Sequence, residues 1–215
     1  MTSAPRIALI HALSHSVAPV NQGFDATWPA ARRMNLLDDS LSADLAATGT
    51  LDEAMFQRFH TLADYAVATG ADALLFTCSA FGPCIEAVAR RHASRPVLKP
   101  NEAMVEAAAA RGRPVGLIAS FAPTLASMPP EFPAQVPLQT ALAAEALDAL
   151  NAGRPDEHDR AVVAAALRLQ ASGCEVIALA QFSMARAQAA VQAATGLPVL
   201  TTVDSAIAKL RRRLG

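Results

Sequence analysis

Cys78 lies between two hydroxyl residues in the run Phe76-Thr77-Cys78-Ser79-Ala80-Phe81-Gly82-Pro83. An apolar stretch precedes it and a Gly-Pro pair suited to the start of a helix follows. The spacing therefore predicts a thiol at the carboxyl end of a strand, facing a helix N-terminus. Backbone N–H groups and the helix dipole stabilise a thiolate in such a place. They lower a thiol pKa from its usual ~8.5 and make the sulfur a base or nucleophile near neutral pH. The competing reading of Cys78 is a small buried hydrophobe. Cys84, among helix residues, and Cys174, at the start of a strand, read as structural. Thr77, Ser79, Ser120 and Thr124 all fall at or just after predicted strand ends. Short hydroxyls and helix-start amides together can hold a carboxylate without a cation, ordinary N-capping being the alternative.

His11 ends the first apolar run, and His15 follows four residues later beside Ser14 and Ser16. With an unperturbed pKa near ~6.5, a histidine here could act as general acid or base. His11 is the candidate to work with Cys78, and His15 reads as a hydrogen-bonded structural residue. The His-x-x-x-His spacing suits a metal only on a helix and no third ligand is marked, so no metal is expected. Asp38 and Asp39 could bind substrate or cap a turn, capping being the reading for Asp39. Nucleotide-binding, P-loop, serine-hydrolase and zinc-protease signatures are absent.

Short apolar runs alternating with Ala-rich helical stretches position these residues, the pattern of an α/β protein with mostly parallel sheets. Strands are expected at 6–12, 31–36, 73–77, 97–98, 115–119, 176–180 and 199–200. Helices are expected at 52–69, 83–92, 101–110, 141–150, 156–171, 184–194 and 203–213. The chain also repeats itself. Gly70 to Cys78 aligns with Gly173 to Gln181, Arg95-Pro-Val-Leu with Leu197-Pro-Val-Leu, and Arg6-Ile-Ala-Leu-Ile-His with Pro114-Val-Gly-Leu-Ile-Ala. The expectation is two similar pseudo-symmetric lobes, residues 1–112 and 113–215. Ligands of open α/β sheets sit at the carboxyl ends of strands. If the lobes face each other, Cys78 and Gln181 would approach one ligand from opposite sides.

The 215 residues carry 18 Lys+Arg against 19 Asp+Glu, a net charge of −1, and 53% are hydrophobic. That balance excludes a nucleic-acid or anionic-membrane footprint and supplies a sizeable core. Three cysteines without a C-x-x-C pair argue against a disulfide framework and for a reducing compartment. A short apolar N-terminal run broken by His11 is no signal peptide. A cytoplasmic protein, folding alone or as a homo-oligomer, is expected.

The duplicated halves, the Phe-Thr-Cys78-Ser79-Ala-Phe-Gly82 loop and the Gly-Leu-Ile-Ala-Ser120-Phe-Ala-Pro-Thr124 segment resemble the aspartate/glutamate racemase superfamily over nearly the whole chain. That superfamily includes hydantoin racemases, maleate isomerases and arylmalonate decarboxylases. The resemblance implies a two-lobed enzyme without cofactors, acting at a carbon next to a carboxylate or carbonyl of a small acid. Racemases of this kind place one cysteine in each lobe, on the two faces of the substrate. Here Cys78 corresponds to the first, while Gln181 stands at the second and Ser183 at the polar residue beyond it. A glutamine transfers no proton, so the resemblance implies one-sided chemistry. Three forms of it are open: a racemase with a second base elsewhere, a one-cysteine decarboxylase, or covalent attack by Cys78 with His11 as base. A non-catalytic small-carboxylate binding protein on the same scaffold is the reading from another class.

Overall fold

Unbroken apolar runs of four or five residues become the buried strands of two parallel sheets, as the alternating pattern predicts. The computed structural model describes residues 4–215. The first sheet holds β1 (Arg6–His11), β2 (Arg32–Leu37), β3 (Ala73–Phe76) and β4 (Val97–Leu98) in the order β2-β1-β3-β4. The second holds β5 (Val115–Ala119), β6 (Leu138–Leu142), β7 (Val176–Leu179) and β8 (Val199–Thr201) in the order β6-β5-β7-β8. The same strand order occurs twice, with β3 and β7 as equivalents. Every residue of β3 and β7 is buried, whereas the edge strands β2 and β6 leave side chains exposed.

Among the described residues ten α-helices lie between and after the strands: α1 (Val17–Thr27), α2 (Ser40–Thr48), α3 (Glu53–Ala68), α4 (Gly82–Arg91), α5 (Glu102–Ala109), α6 (Ala122–Ser127), α7 (Ala144–Asn151), α8 (Pro155–Ala171), α9 (Gln188–Thr195) and α10 (Thr202–Leu214). Three of them, α1, α2 and α6, lie where the sequence reading places no helix. Pro19 and Gly23 hide α1, although a proline in the first turn removes an N–H that has no intrahelical partner anyway. The buried pair Leu41 and Leu45, spaced i,i+4, holds α2 down. The helix expected over 141–150 starts only at Ala144. Its first residues finish β6, an edge strand whose Gln139 and Thr140 are exposed and carry no strong apolar alternation. The helix expected from Met184 is a 3-10 turn, Phe182–Ala187, before α9 begins.

The chain divides into two compact units, residues up to Pro100 with Ala206–Gly215, and Asn101–Ser205. The repeat places a boundary at 112/113 instead. Helix α5 belongs to the second unit because Met104, Val105 and Ala108 join the core formed with Val115, Leu117 and Val176. The end of α10 belongs to the first unit, where the Arg211 guanidinium donates to the Thr27 carbonyl at 3.2 Å. In the second unit α8 packs so closely on β5 that a Cβ at Gly116 would lie 2.9 Å from Leu169 Cδ1 and 3.0 Å from its Cβ. Only glycine fits there without displacing the helix. Among the described residues no helix is long and apolar enough to cross a membrane.

Candidate active site

Strand registers make the two strand-end positions comparable. Ile10 pairs with Phe76 in the first sheet, as Ile118 pairs with Leu179 in the second. The first amide beyond β3 and β7 donates to the equivalent carbonyl in each sheet, Thr77 N–H to Ile10 at 3.0 Å and Ala180 N–H to Ile118 at 2.9 Å. One residue further stand Cys78 and Gln181. Each has extended backbone and caps a 3-10 turn, Ser79–Phe81 and Phe182–Ala187 respectively. The equivalence drawn from the sequence repeat thus holds in the backbone itself.

In the first unit Cys78 is half-buried and borders a narrow crevice, too tight for water, lined by Ile10, His11, Ala12, Leu41, Phe59 and Phe76. Burial pushes its thiol above the ordinary value. The Ala80 backbone N–H and the Ser42 hydroxyl face the sulfur and pull the other way without overcoming it. This corrects the expected lowering: the helix-start amides are present, but the sulfur lies against a dry apolar wall, and desolvation of the charged form outweighs them. The Ala12 carbonyl, 2.9 Å from the Ser42 oxygen, competes with the sulfur for that hydroxyl's one proton. Ser42 arrives on α2, the helix that the sequence reading lacks, and so escaped notice.

His11 is fully buried, with Nδ1 2.9 Å from Thr77 Oγ1 and Nε2 3.0 Å from Asn35 Oδ1. Both ring nitrogens are occupied, and burial holds the imidazole below its ordinary pKa. Thr77 is buried with its hydroxyl engaged by this ring; Ser79 is buried in the turn after the thiol. Asp39 takes the N-cap position of α2 but makes no side-chain capping bond. Its neighbour Asp38 accepts from Ser40 at 2.7 Å and from Arg58 at 2.6 Å. Burial alone would raise the Asp38 carboxyl, but the Arg58 and Ser40 contacts hold it below the usual range. Arg58 also pairs with Asp44 of α2, tying the helix that carries Ser42 to α3.

In the second unit the Gln181 Oε1 accepts from the Ser120 backbone N–H at 2.6 Å and from the Ser120 hydroxyl at 3.0 Å. An N–H must meet an acceptor, so the amide orientation is fixed and its NH2 is turned away from Ser120. Ser120 spends both donors on Gln181. Thr124 is buried within α6, and Ser183 is buried with its hydroxyl lacking a protein partner; Thr202 shares both properties. Sequence reasoning did not single out Thr202, which has no flanking motif. Among the described residues no group of three His, Cys, Asp or Glu is placed to hold a metal.

The remaining thiols are buried. Cys84 is pushed up to about 11 by burial and by the negative charge of Asp52. The folded state therefore holds this proton more tightly than the unfolded chain. Its stabilising effect is present below the unfolded thiol's pKa and is lost as pH rises towards 11, by about 3 kcal/mol in all. Urea unfolding at pH 8 and pH 11 should show the wild type losing about 2 kcal/mol more than Cys84→Ala, the folded thiol being half ionised at the upper pH. An equal loss in both proteins would contradict the assignment.

Comparison with known proteins gives a consistent picture. The solved structures that resemble the chain include glutamate racemase isoform RacE1 from Bacillus anthracis, with TM-score 0.76 and 13% identity over 99% of this chain and 82% of that one. Picrophilus torridus aspartate racemase follows at TM-score 0.73 and 10% identity, over 97% and 94% of the two chains. Allantoin racemase from Klebsiella pneumoniae stands at 0.71 and 16%, over 98% and 88%. No curated protein gives a significant sequence match. The model of the Asp/Glu/Hydantoin racemase family matches residues 20–210. A match of that extent, on a chain that folds as two equivalent four-stranded α/β units, places the protein in the Asp/Glu/hydantoin racemase family.

Proposed function

We propose that the protein is a cofactor-independent enzyme of this superfamily that moves a proton at the carbon α to a carboxylate of a small acid, with Cys78 as its one titrating thiol. The observation that carries this reading is the pair of equivalent strand ends, a thiol at Cys78 and a non-titrating amide at Gln181. Burial favours the protonated thiol at rest; once that proton has passed to solvent, the thiolate takes the α-proton, leaving its electron pair on the carbon, and the re-formed thiol returns a proton to the carbanion. Within the first unit Ser79, in the turn directly after the thiol, is the residue placed to meet a carboxylate oxygen.

Decarboxylation of a malonate-like acid is the second reading, favoured by the absence of a second thiol at the Gln181 position. A carbon–carbon bond breaks, carbon dioxide leaves, its electron pair stays on the α-carbon, and the Cys78 S–H proton is delivered there. Solvent then reprotonates the thiolate.

Both readings meet one experiment. Candidate amino, hydroxy and malonate-type acids are incubated with the protein in deuterated water and followed by NMR and polarimetry. Label entering the α-carbon is expected, with inversion marking racemisation and loss of carbon dioxide marking decarboxylation. Tight binding of a carboxylate without any label would replace the enzyme by the binding protein.

A further inference from the structure

Which nitrogen of His11 carries the proton is decided two residues away from the ring. Asn21 donates from Nδ2 to the Val17 carbonyl at 2.7 Å. A carbonyl only accepts, so this amide cannot be turned over without setting two acceptors against each other. The same Nδ2 has a second hydrogen, which reaches Asn35 Oδ1 at 3.0 Å, and Asn35 Nδ2 reaches back to Asn21 Oδ1 at 3.4 Å. The Asn35 oxygen is thereby fixed as the atom 3.0 Å from His11 Nε2, and an oxygen there requires an N–H. Nδ1 of the neutral ring is left as an acceptor, and the Thr77 hydroxyl 2.9 Å away is its donor. Thr77 Oγ1 has one other acceptor within reach, the Ile10 carbonyl at a poorer 3.4 Å.

Among the described residues no charged side chain is hydrogen-bonded to the ring. Asn35 on β2 and Thr77 beyond β3 are neutral, and Cys78 borders the same crevice. The Asp38 N–H donates to the His11 carbonyl at 3.0 Å, but its carboxylate is occupied by Arg58 and Ser40. Burial, the larger effect, lowers the His11 pKa, while the Asn35 bond raises it less.

We infer that His11 is a positioning residue, locked as the neutral Nε2–H tautomer by the Asn21–Asn35 amide pair, which receives the Thr77 hydroxyl and pins the strand end carrying Cys78 without exchanging a proton with the thiol. The inference rests on reading Cys78 as the reacting group, but its test needs no substrate. Imidazole nitrogen NMR of the full chain is recorded from pH 5 to 8, with His11→Asn used to assign the signal. The expected spectrum shows a protonated Nε2 and a bare Nδ1, with charging only below ~6.5. Asn35→Asp, which sets a carboxylate against the same N–H, should move that titration up by about one unit or more. His11→Asn presents an amide oxygen where Nδ1 stood and cannot titrate in this range. Alkylation of Cys78 by iodoacetamide should keep its wild-type pH profile in that variant.

A proton on Nδ1, an imidazolium at pH 7, or a low-pH step in wild-type alkylation that vanishes in His11→Asn would each overturn the inference. A protein that labels no acid in deuterated water would remove the proposed reaction and leave these spectra unchanged, so the two can fail separately.

Discussion

Cys78→Ala abolishes label incorporation at the α-carbon while the chain keeps its far-ultraviolet spectrum and its urea midpoint to within about 1 kcal/mol. The expected loss is about 10²–10⁴-fold or more, the range that positioned acid–base groups supply. Gln181 carries no transferable proton, and the His11 ring has both nitrogens engaged, so neither can take over from the sulfur. Removing one half-buried sulfur leaves little cavity, since Cys78 only borders the crevice formed by Phe59, Phe76 and Leu41. Turnover at the wild-type rate in this variant would eliminate the thiol as the reacting group.

Phe59→Ala should cost about 3–5 kcal/mol of stability, as read by urea unfolding. Phe59 of α3 is 2% exposed and lies between Phe76 at 5.4 Å and Phe81 at 5.0 Å, measured between ring centroids. One of those rings ends β3 and the other ends the turn after Cys78, so a single aromatic side chain braces both flanks of the thiol. Phe59→Leu fills most of the space and should cost clearly less. At denaturant concentrations where the alanine variant is still folded, Cys78 should alkylate faster than in wild type, because the dry wall against the sulfur is gone. A loss below about 1 kcal/mol, or unchanged alkylation, would show that the three rings do not act as one brace.

The sequence announces Cys78 well because its signals are local: four apolar residues before it, then Gly82-Pro83, which the chain does use to begin α4. The Cys78–Gln181 equivalence is legible for a related reason, since a parallel β-α-β repeat fixes the number of residues from glycine to strand end. The direction of the thiol's pKa is not legible. It depends on Leu41, Ser42 and Phe59, which come from α2 and α3 and reach the sulfur only through the tertiary fold. The same holds for His11, whose tautomer is set by Asn21 and Asn35, ten and 24 positions along the chain. Strand β6 is missed because its exposed Gln139 and Thr140 give an edge strand almost no pattern to read. Ser120 looks like a free anion-binding hydroxyl until its partner Gln181, 61 residues away, is seen to claim both of its donors.

The unit that carries the thiol is completed by Ala206–Gly215, a segment that follows the whole of the second unit in the chain. Ala206, Ile207 and Leu210 of that segment are buried. A nascent chain that has already made β1 to β4 must therefore wait through the synthesis of the whole second unit before its own apolar surface is covered.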